Sequence, residues 1–465
     1  MGRMQKSLQQ NQHKLYKPLS RFSRNPGQLI TLSFLAVILT GTLLLMMPFS
    51  TRSGLGTPFL AALFTATSAT CVTGLAIYDT YSHFSIIGQT VIICLIQIGG
   101  LGLLTLTGFF YSLMRRKMGL RTAQLTQESI SADTRSNTQS LLRMVIKVTF
   151  VTELIGCLLM LPMLVPEYGS YGVFMAVFLS ISAYCNAGFD LFGFLKPGAS
   201  LIPVQDNLPL VAVISALIIC GGLGFIVWQD VLVYRRHKRL HFHTRMVLIT
   251  TAILLLGGTL LFVIMEWTNP ATLGPMSIGQ KFAHAFFQSV TCRTAGFMTF
   301  DQMAMRDISK ILSIVLMFIG AAPGSTGGGI KLTTALIIFM TVVSVIRGEE
   351  DTIVTRRRID KSVVYRSLAV AFLAACMVVF TTLILLITSD ASSVDALYET
   401  VSAFGTVGLS TGVTTATNWV GQLALIFTMF FGRIGPVAFA LALSMRPKSP
   451  ASRLRREPEG KIWVA

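Results

Sequence analysis

Four segments of this chain share one order of residue types: a Ser closing an apolar stretch, a short polar run, then Gly and a bulky apolar residue. They are Ser68-Ala-Thr-Cys-Val-Thr-Gly74-Leu75, Ser182-Ala-Tyr-Cys-Asn-Ala-Gly188-Phe189, Ser289-Val-Thr-Cys-Arg-Thr-Ala-Gly296-Phe297 and Ser402-Ala-Phe-Gly-Thr-Val-Gly408-Leu409. Their glycines lie 114, 108 and 112 residues apart, and the third copy carries one extra residue. Repetition at a fixed period means one structural unit used four times. Four glycine loops around one axis can line it with backbone carbonyls, the arrangement that replaces the hydration shell of a potassium ion. Glycine permits the φ > 0 conformations such a lining needs. The competing account, glycine packing between helices, suits one copy better than four in register.

A second set of glycines follows each loop: Gln97-Ile-Gly-Gly-Leu-Gly102, Cys220-Gly-Gly-Leu-Gly224, Gly320-Ala-Ala-Pro-Gly324 and Gly432-Arg-Ile-Gly435. Small residues let helices approach closely, and that account suffices for the first two patches. The third continues as Ala321-Ala-Pro-Gly324-Ser325-Thr326-Gly327-Gly328-Gly329-Ile-Lys331, interrupting an apolar stretch with Pro and several glycines. Pro lacks a donor and each Gly costs ~1 kcal/mol relative to Ala in a helix, so a loop is expected here. Below a filter, a mid-membrane loop reads as a gate. It differs from a phosphate-binding loop in that Ile330 separates Gly329 from Lys331 and the flanks are apolar spans. Arg433, in the last span, is expected to steady that loop or slow cation passage, with a salt bridge to Glu153, Glu399 or Asp230 as the alternative. Lys331 is expected to snorkel or cap a broken helix end.

The elements that must carry these loops are membrane helices. Hydrophobic residues make up 52% of 465 positions and charged ones 12%, against about 25% charged in soluble domains. A crossing takes ~20 apolar residues, and eight stretches qualify: 28–48, 84–113, 142–165, 207–234, 246–267, 309–346, 364–388 and 418–445. Four shorter ones, 57–70, 171–185, 277–291 and 392–404, suit re-entrant helices. Their expected starts are Thr57 before Pro58, Ser170, Ser277 and Ser392 or Ser393, residues that cap helix N-termini. Each short helix runs inward, so its partial negative end favours a cation at mid-membrane.

Net charge is +18, and 30 of 38 Lys and Arg fall in five blocks, at 1–24, 115–147, 235–245, 347–366 and 446–461. The blocks alternate with the spans so that all lie on one side, the cytoplasmic side by the positive-inside bias. Both termini are therefore expected in the cytoplasm, without a signal peptide, and nucleic-acid binding is not implied. Seven cysteines without a CxxC disfavour disulfides and zinc. Cys71, Cys185 and Cys292 recur three residues after the Ser, a packing position rather than a metal site. His237, His241 and His243 lack a second ligand cluster.

Thr-Gly-Leu, Asn-Ala-Gly-Phe, Thr-Ala-Gly-Phe and Thr-Val-Gly-Leu, the Pro-Gly-Ser-Thr-Gly-Gly-Gly-Ile-Lys loop and Phe-Gly-Arg-Ile-Gly-Pro resemble the Trk/Ktr/HKT superfamily of potassium transporters, over roughly residues 28–445. About 27 residues precede the first span, which is similar to the Ktr-type membrane subunit rather than the Trk branch with its two additional helices. The resemblance implies an all-α integral membrane protein of four M1-P-M2 pore units in pseudo-fourfold arrangement. The implied potassium filter comprises Val72, Thr73 and Gly74; Cys185, Asn186, Ala187 and Gly188; Thr294, Ala295 and Gly296; and Thr406, Val407 and Gly408. Gating falls to Gly324, Ser325, Thr326, Gly327, Gly328, Gly329, Lys331 and Arg433. The resemblance further implies a homodimer in the cell membrane on a cytoplasmic RCK-type nucleotide-binding regulatory ring (KtrA-like), with no organic cofactor on this chain. Uptake in the superfamily is often sodium-dependent; Gly rather than Ser at position 74 argues for potassium as the preferred ion. The extra residue near Arg293 is expected to alter the outermost part of the third loop.

The expected organisation is a cytoplasmic tail at 1–27, pore units at 28–113, 114–234, 235–346 and 347–445, and a second tail at 446–465. The leading expectation is passive uptake of K⁺, not an enzyme: no Ser/His/Asp or HExxH constellation is present. The runner-up is a secondary transporter of a small organic solute through broken helices, which requires a roomy mid-membrane site lined by polar side chains.

Overall fold

The computed structural model describes residues 26–102, 138–355 and 357–435. Nearly all of the two predicted tails, most of the stretch joining the first two units, and the predicted span ends past 102 and 435 lie outside the described residues. Thirteen helices of twelve residues or more occupy the described residues: α1 (Pro26–Met46), α2 (Phe59–Thr70), α3 (Ile86–Leu101), α4 (Thr138–Cys185), α5 (Leu208–Gly222), α6 (Phe225–His237), α7 (Phe242–Glu266), α8 (Ile278–Thr291), α9 (Asp307–Phe318), α10 (Leu332–Ile346), α11 (Lys361–Thr388), α12 (Ser393–Gly405) and α13 (Trp419–Ile434). The only strands among them are a two-residue hairpin, Ile353–Val354 with Arg357–Arg358.

Among the described residues, three helices have the length and apolarity to cross a bilayer, Leu142–Cys185, Phe242–Glu266 and Lys361–Thr388, or four if the bent pair Leu208–Gly222 and Phe225–Tyr234 is one span. Their outward faces expose large aliphatic and aromatic side chains, such as Leu256, Phe372 and Ile387, as lipid-facing helices do. The chain is an α-helical membrane protein.

Cap chemistry sets the starts of the short helices. Ser277 forms a capping box with Gln280 at the head of α8, and Ser392 accepts the Asp395 N–H at the head of α12. Within α4 the backbone breaks at Gly169, φ 59° and ψ −141°, so a short helix starts at Ser170. Thr57 does not cap α2: Pro58 takes that position, and the Thr57 hydroxyl lies 3.0 Å from His83 Nε2.

The glycine patches do more than allow close packing. A Cβ at Gly99, Gly221 or Gly432 would strike a carbonyl oxygen, of Thr70, Tyr184 or Phe404 respectively, at the end of a short helix. The last glycine of each patch has positive φ: 77° at Gly102, 89° at Gly224, 68° at Gly324 and 92° at Gly435. These conformations belong to glycine, and helices α3, α5 and α13 stop at or just before them. The predicted crossing 207–234 is consequently two helices meeting at 98°.

The short helices lie at the centre, each against its own flanking helices and one helix from the preceding part of the chain. Thus α8 packs on α7 and α5, α12 on α11 and α9, and α2 on α1 and, from the far end of the sequence, α13. Glu266, fully buried at the end of α7, accepts the Arg306 N–H at 3.0 Å and the Thr272 hydroxyl and Asn269 amide at 2.6 Å each. It also accepts the Ser309 hydroxyl, so one carboxylate ties α7 to the start of α9. Glu266→Ala strands these donors at a cost of about 3 kcal/mol. The detergent-solubilised variant is expected to melt several degrees lower, and an unchanged melting temperature would contradict the tie.

Candidate functional site

Each of the four loops leaves its short helix through one backbone pattern. Val72, Asn186, Thr294 and Thr406 have φ of 59°, 61°, 70° and 50°. Two residues on, Gly74, Gly188, Gly296 and Gly408 have φ of 95°, 71°, 84° and 90°. For β-branched Val and Thr, positive φ is strained and persists only where the surroundings impose it. The intervening Thr73, Ala187, Ala295 and Val407 donate their N–H groups back to the helix ends, at 2.8, 2.8, 3.0 and 2.8 Å. Alternating the hand of the backbone turns successive carbonyls toward one side of the segment.

The loops meet one another in cyclic order. A Cβ on Gly74 would collide with Ala187 O, on Gly188 with Ala295 O, on Gly296 with Val407 O and on Gly408 with Thr73 O. Each glycine therefore abuts the carbonyl preceding the next glycine, and the fourth loop closes on the first. All thirteen candidate filter residues gather here, and the nine that are not glycine are buried. All four glycines also line one outward cavity of about 770 Å³, whose wall carries Asp79, Asp190, Asp206 and Asp301.

Hydroxyls brace the loops in two ways. Ser68 and Ser402 accept the N–H of Gly74 and Gly408, each at 3.1 Å. Ser182 and Thr291 donate to the carbonyls after the glycine, Phe189 O at 2.6 Å and Phe297 O at 2.7 Å. In the third copy the brace is thus Thr291, not Ser289, whose hydroxyl donates to Leu255 O at 2.9 Å. The extra residue is absorbed at the end of α8, and Thr294-Ala295-Gly296 keeps the register of the other loops. Cys71, Cys185 and Cys292 are buried at the loop starts, and no cluster of metal-ligating side chains occurs among the described residues.

The loop Ala321–Lys331 folds against the inner side of this ring. It is held to the α5–α6 break by Ala322 N–H on Gly222 O at 3.1 Å and Phe225 N–H on Gly324 O at 2.9 Å. Gly328 N–H donates to the Thr406 hydroxyl at 3.1 Å. Gly327 leaves no room for a Cβ beside the Thr294 hydroxyl. Lys331 Nζ donates to Gly327 O at 2.7 Å, so its charge turns back into the loop. The Arg433 guanidinium donates to Thr326 O in this loop and to Gly99 O near the end of α3.

The carboxylates considered as partners of Arg433 are engaged elsewhere. Glu153 accepts from Gln97 at 3.0 Å, Asp230 from His241 at 2.6 Å, and Glu399 from Thr411 N–H at 3.0 Å, Thr414 N–H at 3.1 Å and Ser410 Oγ at 2.7 Å. Glu399 braces the segment leaving Gly408, a role its sequence position in an apolar short helix did not announce. Arg293, immediately before Thr294 of the third loop, is a further buried cation, which the sequence marked only as the site of the extra residue.

A family model described as TrkH, cation transport protein, matches residues 4–453. The Ktr system potassium uptake protein B of Bacillus subtilis is 40% identical over 441 residues, 94% of this chain and 96% of that protein. The potassium/sodium uptake protein NtpJ of Enterococcus hirae is 38% identical over 445 residues, 95% of this chain and 97% of that one. In fold, the crystal structure of the potassium transporter TrkH from Vibrio parahaemolyticus matches at TM-score 0.69 and 18% identity, covering 91% of this chain and 85% of that one.

Arg433→Gln removes two charge-assisted hydrogen bonds, each worth ~1.5–3 kcal/mol, and should free the loop. A cysteine placed at Ser325 is then expected to react with an aqueous thiol reagent about tenfold faster than with Arg433 intact. Equal rates would mean that the guanidinium does not pin the loop.

Proposed function

The chain belongs to the TrkH family of cation transport proteins, and from that premise we propose that it takes up potassium ions through the ring of Gly74, Gly188, Gly296 and Gly408. The cyclic contact of each glycine with the carbonyl before the next carries this reading. It supports four M1-P-M2 units, 28–113, 114–234, 235–346 and 347–445, set around one axis. Main-chain oxygens of Val72–Gly74, Cys185–Gly188, Thr294–Gly296 and Thr406–Gly408 then replace the water around K⁺. The inward C-terminal ends of α2, α8, α12 and the short part of α4 add partial negative charge below. The aspartates of the outer cavity raise the local cation concentration.

The loop Ala321–Lys331 is the gate in this proposal, and Gly324, Ser325, Thr326, Gly327, Gly328 and Gly329 are its moving residues. Lys331 and Arg433 hold it closed and place positive charge on its membrane-buried side. A membrane potential of ~100 mV supplies ~2.3 kcal/mol for each entering cation, so no ATP chemistry is required of this chain, and it is not an enzyme. Relatives named for potassium uptake, and one for potassium and sodium uptake, support K⁺ as cargo with Na⁺ as a second ion. The five basic blocks support cytoplasmic termini in the cell membrane. A homodimer on a cytoplasmic nucleotide-binding RCK-type ring completes the proposal. Transport of an organic solute suits the site less well, because the groups at the ring are backbone and its side chains are buried.

In potassium-auxotrophic cells, Gly74→Ser is expected to weaken preference for Rb⁺ over Na⁺, since the new side chain presses on Ala187 O; an unchanged preference would falsify the filter assignment. Deleting Gly327–Gly329 should raise Rb⁺ flux in vesicles holding this chain alone. Flux that stays level or falls would count against the gate, and the same vesicles with and without Na⁺ decide its role.

A further inference from the structure

Where α5 breaks from α6, the outer surface carries an apolar groove of about 580 Å³. Val151, Ile155 and Leu159 of α4 form one wall, Ala212 and Ala216 of α5 the other, and Trp228 closes one end. The Trp228 indole donates to Cys220 O at 2.9 Å, fastening the two arms of the bend. Helix α6 turns 98° away from α5, yet its side chains Leu232 and Tyr234 are 55% and 46% exposed. A helix across the membrane normal with bare apolar side chains suits the bilayer interface, where Trp and Tyr also collect.

The same end of the groove is basic. Lys147, exposed, sits one helical turn from Val151, and the chain leaves α6 through exposed Lys238 and Arg239, with Arg235 and Arg236 just before them in the sequence. Four or more basic residues beside an interfacial helix recognise anionic lipid headgroups. Apolar length with positive charge at one end is the complement of a phospholipid with a net negative head.

The break beneath this groove is also the anchor of the loop Ala321–Lys331. Gly222 O accepts the Ala322 N–H at 3.1 Å, Gly221 O the Thr326 N–H at 3.4 Å, and Phe225 donates to Gly324 O at 2.9 Å. Anything that stiffens the bend stiffens the loop's attachment. We propose that the α4–α5–α6 groove binds an anionic phospholipid, acyl chain along the helices and phosphate at the basic end, and that occupancy holds the loop Ala321–Lys331 against the ring. A ligand that fits this arrangement of the bend shifts the population toward it.

The inference rests on the membrane placement proposed above, but both readouts are independent of transport. The full chain is extracted from vesicles of phosphatidylglycerol and phosphatidylcholine, and retained lipid is weighed by native mass spectrometry. Phosphatidylglycerol should be retained preferentially, with the preference falling about fivefold in Lys147→Gln. Ala216→Trp, which fills the groove from its lipid-facing side, should lower retention of either lipid. A thiol probe at Ser325→Cys should react faster in vesicles of phosphatidylcholine alone than in mixed vesicles, and Lys147→Gln should erase that difference. Equal retention of the two lipids, or retention indifferent to both variants, overturns the site; labelling that ignores lipid composition overturns the coupling. Should Arg235→Gln and Arg236→Gln leave retention unchanged and weaken only the binding of a cytoplasmic protein, the basic run is a protein-docking surface and the proposal falls.

Discussion

Non-helical backbone at mid-membrane must find its hydrogen-bond partners inside the protein or in trapped water, and this demand governs the whole molecule. The four glycine loops meet it by leaning on one another and on their own helices. The N–H groups of Thr73, Ala187, Ala295 and Val407 return to helix-end carbonyls and those of Gly74 and Gly408 to hydroxyls, which leaves carbonyl oxygens as the unspent polar groups. A segment that spends its donors on the scaffold and keeps its acceptors offers a cation oxygen and offers an anion nothing. Left-handed Val72, Asn186, Thr294 and Thr406 are strained in isolation. Contact around the closed ring holds each in place, so no single loop would keep this shape alone.

The same demand explains why small residues recur behind the loops. The short-helix ends present carbonyls that neighbouring helices must approach, and Gly99, Gly221 and Gly432 admit the oxygens of Thr70, Tyr184 and Phe404 where any Cβ would collide. Each such helix then stops at a second glycine. What reads in one dimension as a helix–helix packing motif is in three dimensions both a notch and a terminator.

How much of this was legible in the sequence follows from the range of each interaction. The Ser277 and Ser392 caps depend on groups three residues away and were readable; so was the loop through Pro323 and the glycines after it, because those residues cannot stay helical. Thr57 was misread because its hydroxyl is claimed by His83, 26 residues on. The exchange of Ser289 for Thr291 was hidden because an inserted residue can be absorbed at either end of a segment, and only coordinates say which. At Arg433 only the alternative, a salt bridge, is set aside: the acceptors are carbonyls exposed by a broken helix end and a loop, a class of partner with no side-chain signature. The 98° break at Gly221-Gly222-Leu223-Gly224 was not foreseen, because close packing alone accounts for such a patch within one crossing. The bond from Phe225 N–H to Gly324 O joins residues far apart in the sequence, which no local pattern announces.

Folding four repeats into one chain lets them diverge where a ring of identical subunits could not. The ring itself stays nearly regular, with the same two left-handed positions in every loop. Beneath it the symmetry ends. One repeat supplies the extended loop, the preceding one the bent helix that anchors it, and the last one the arginine that reaches to that loop and to α3 of the first. In the proposed function, regularity is kept where four equal contributions surround one ion, and abandoned where a single movable obstruction is needed. A loop tethered to two other repeats, at the α5–α6 break and at Thr406 and Arg433, moves only if these attachments give together. If the loop gates as proposed, the inner side of the ring is where attachments from the second and fourth repeats act on it together.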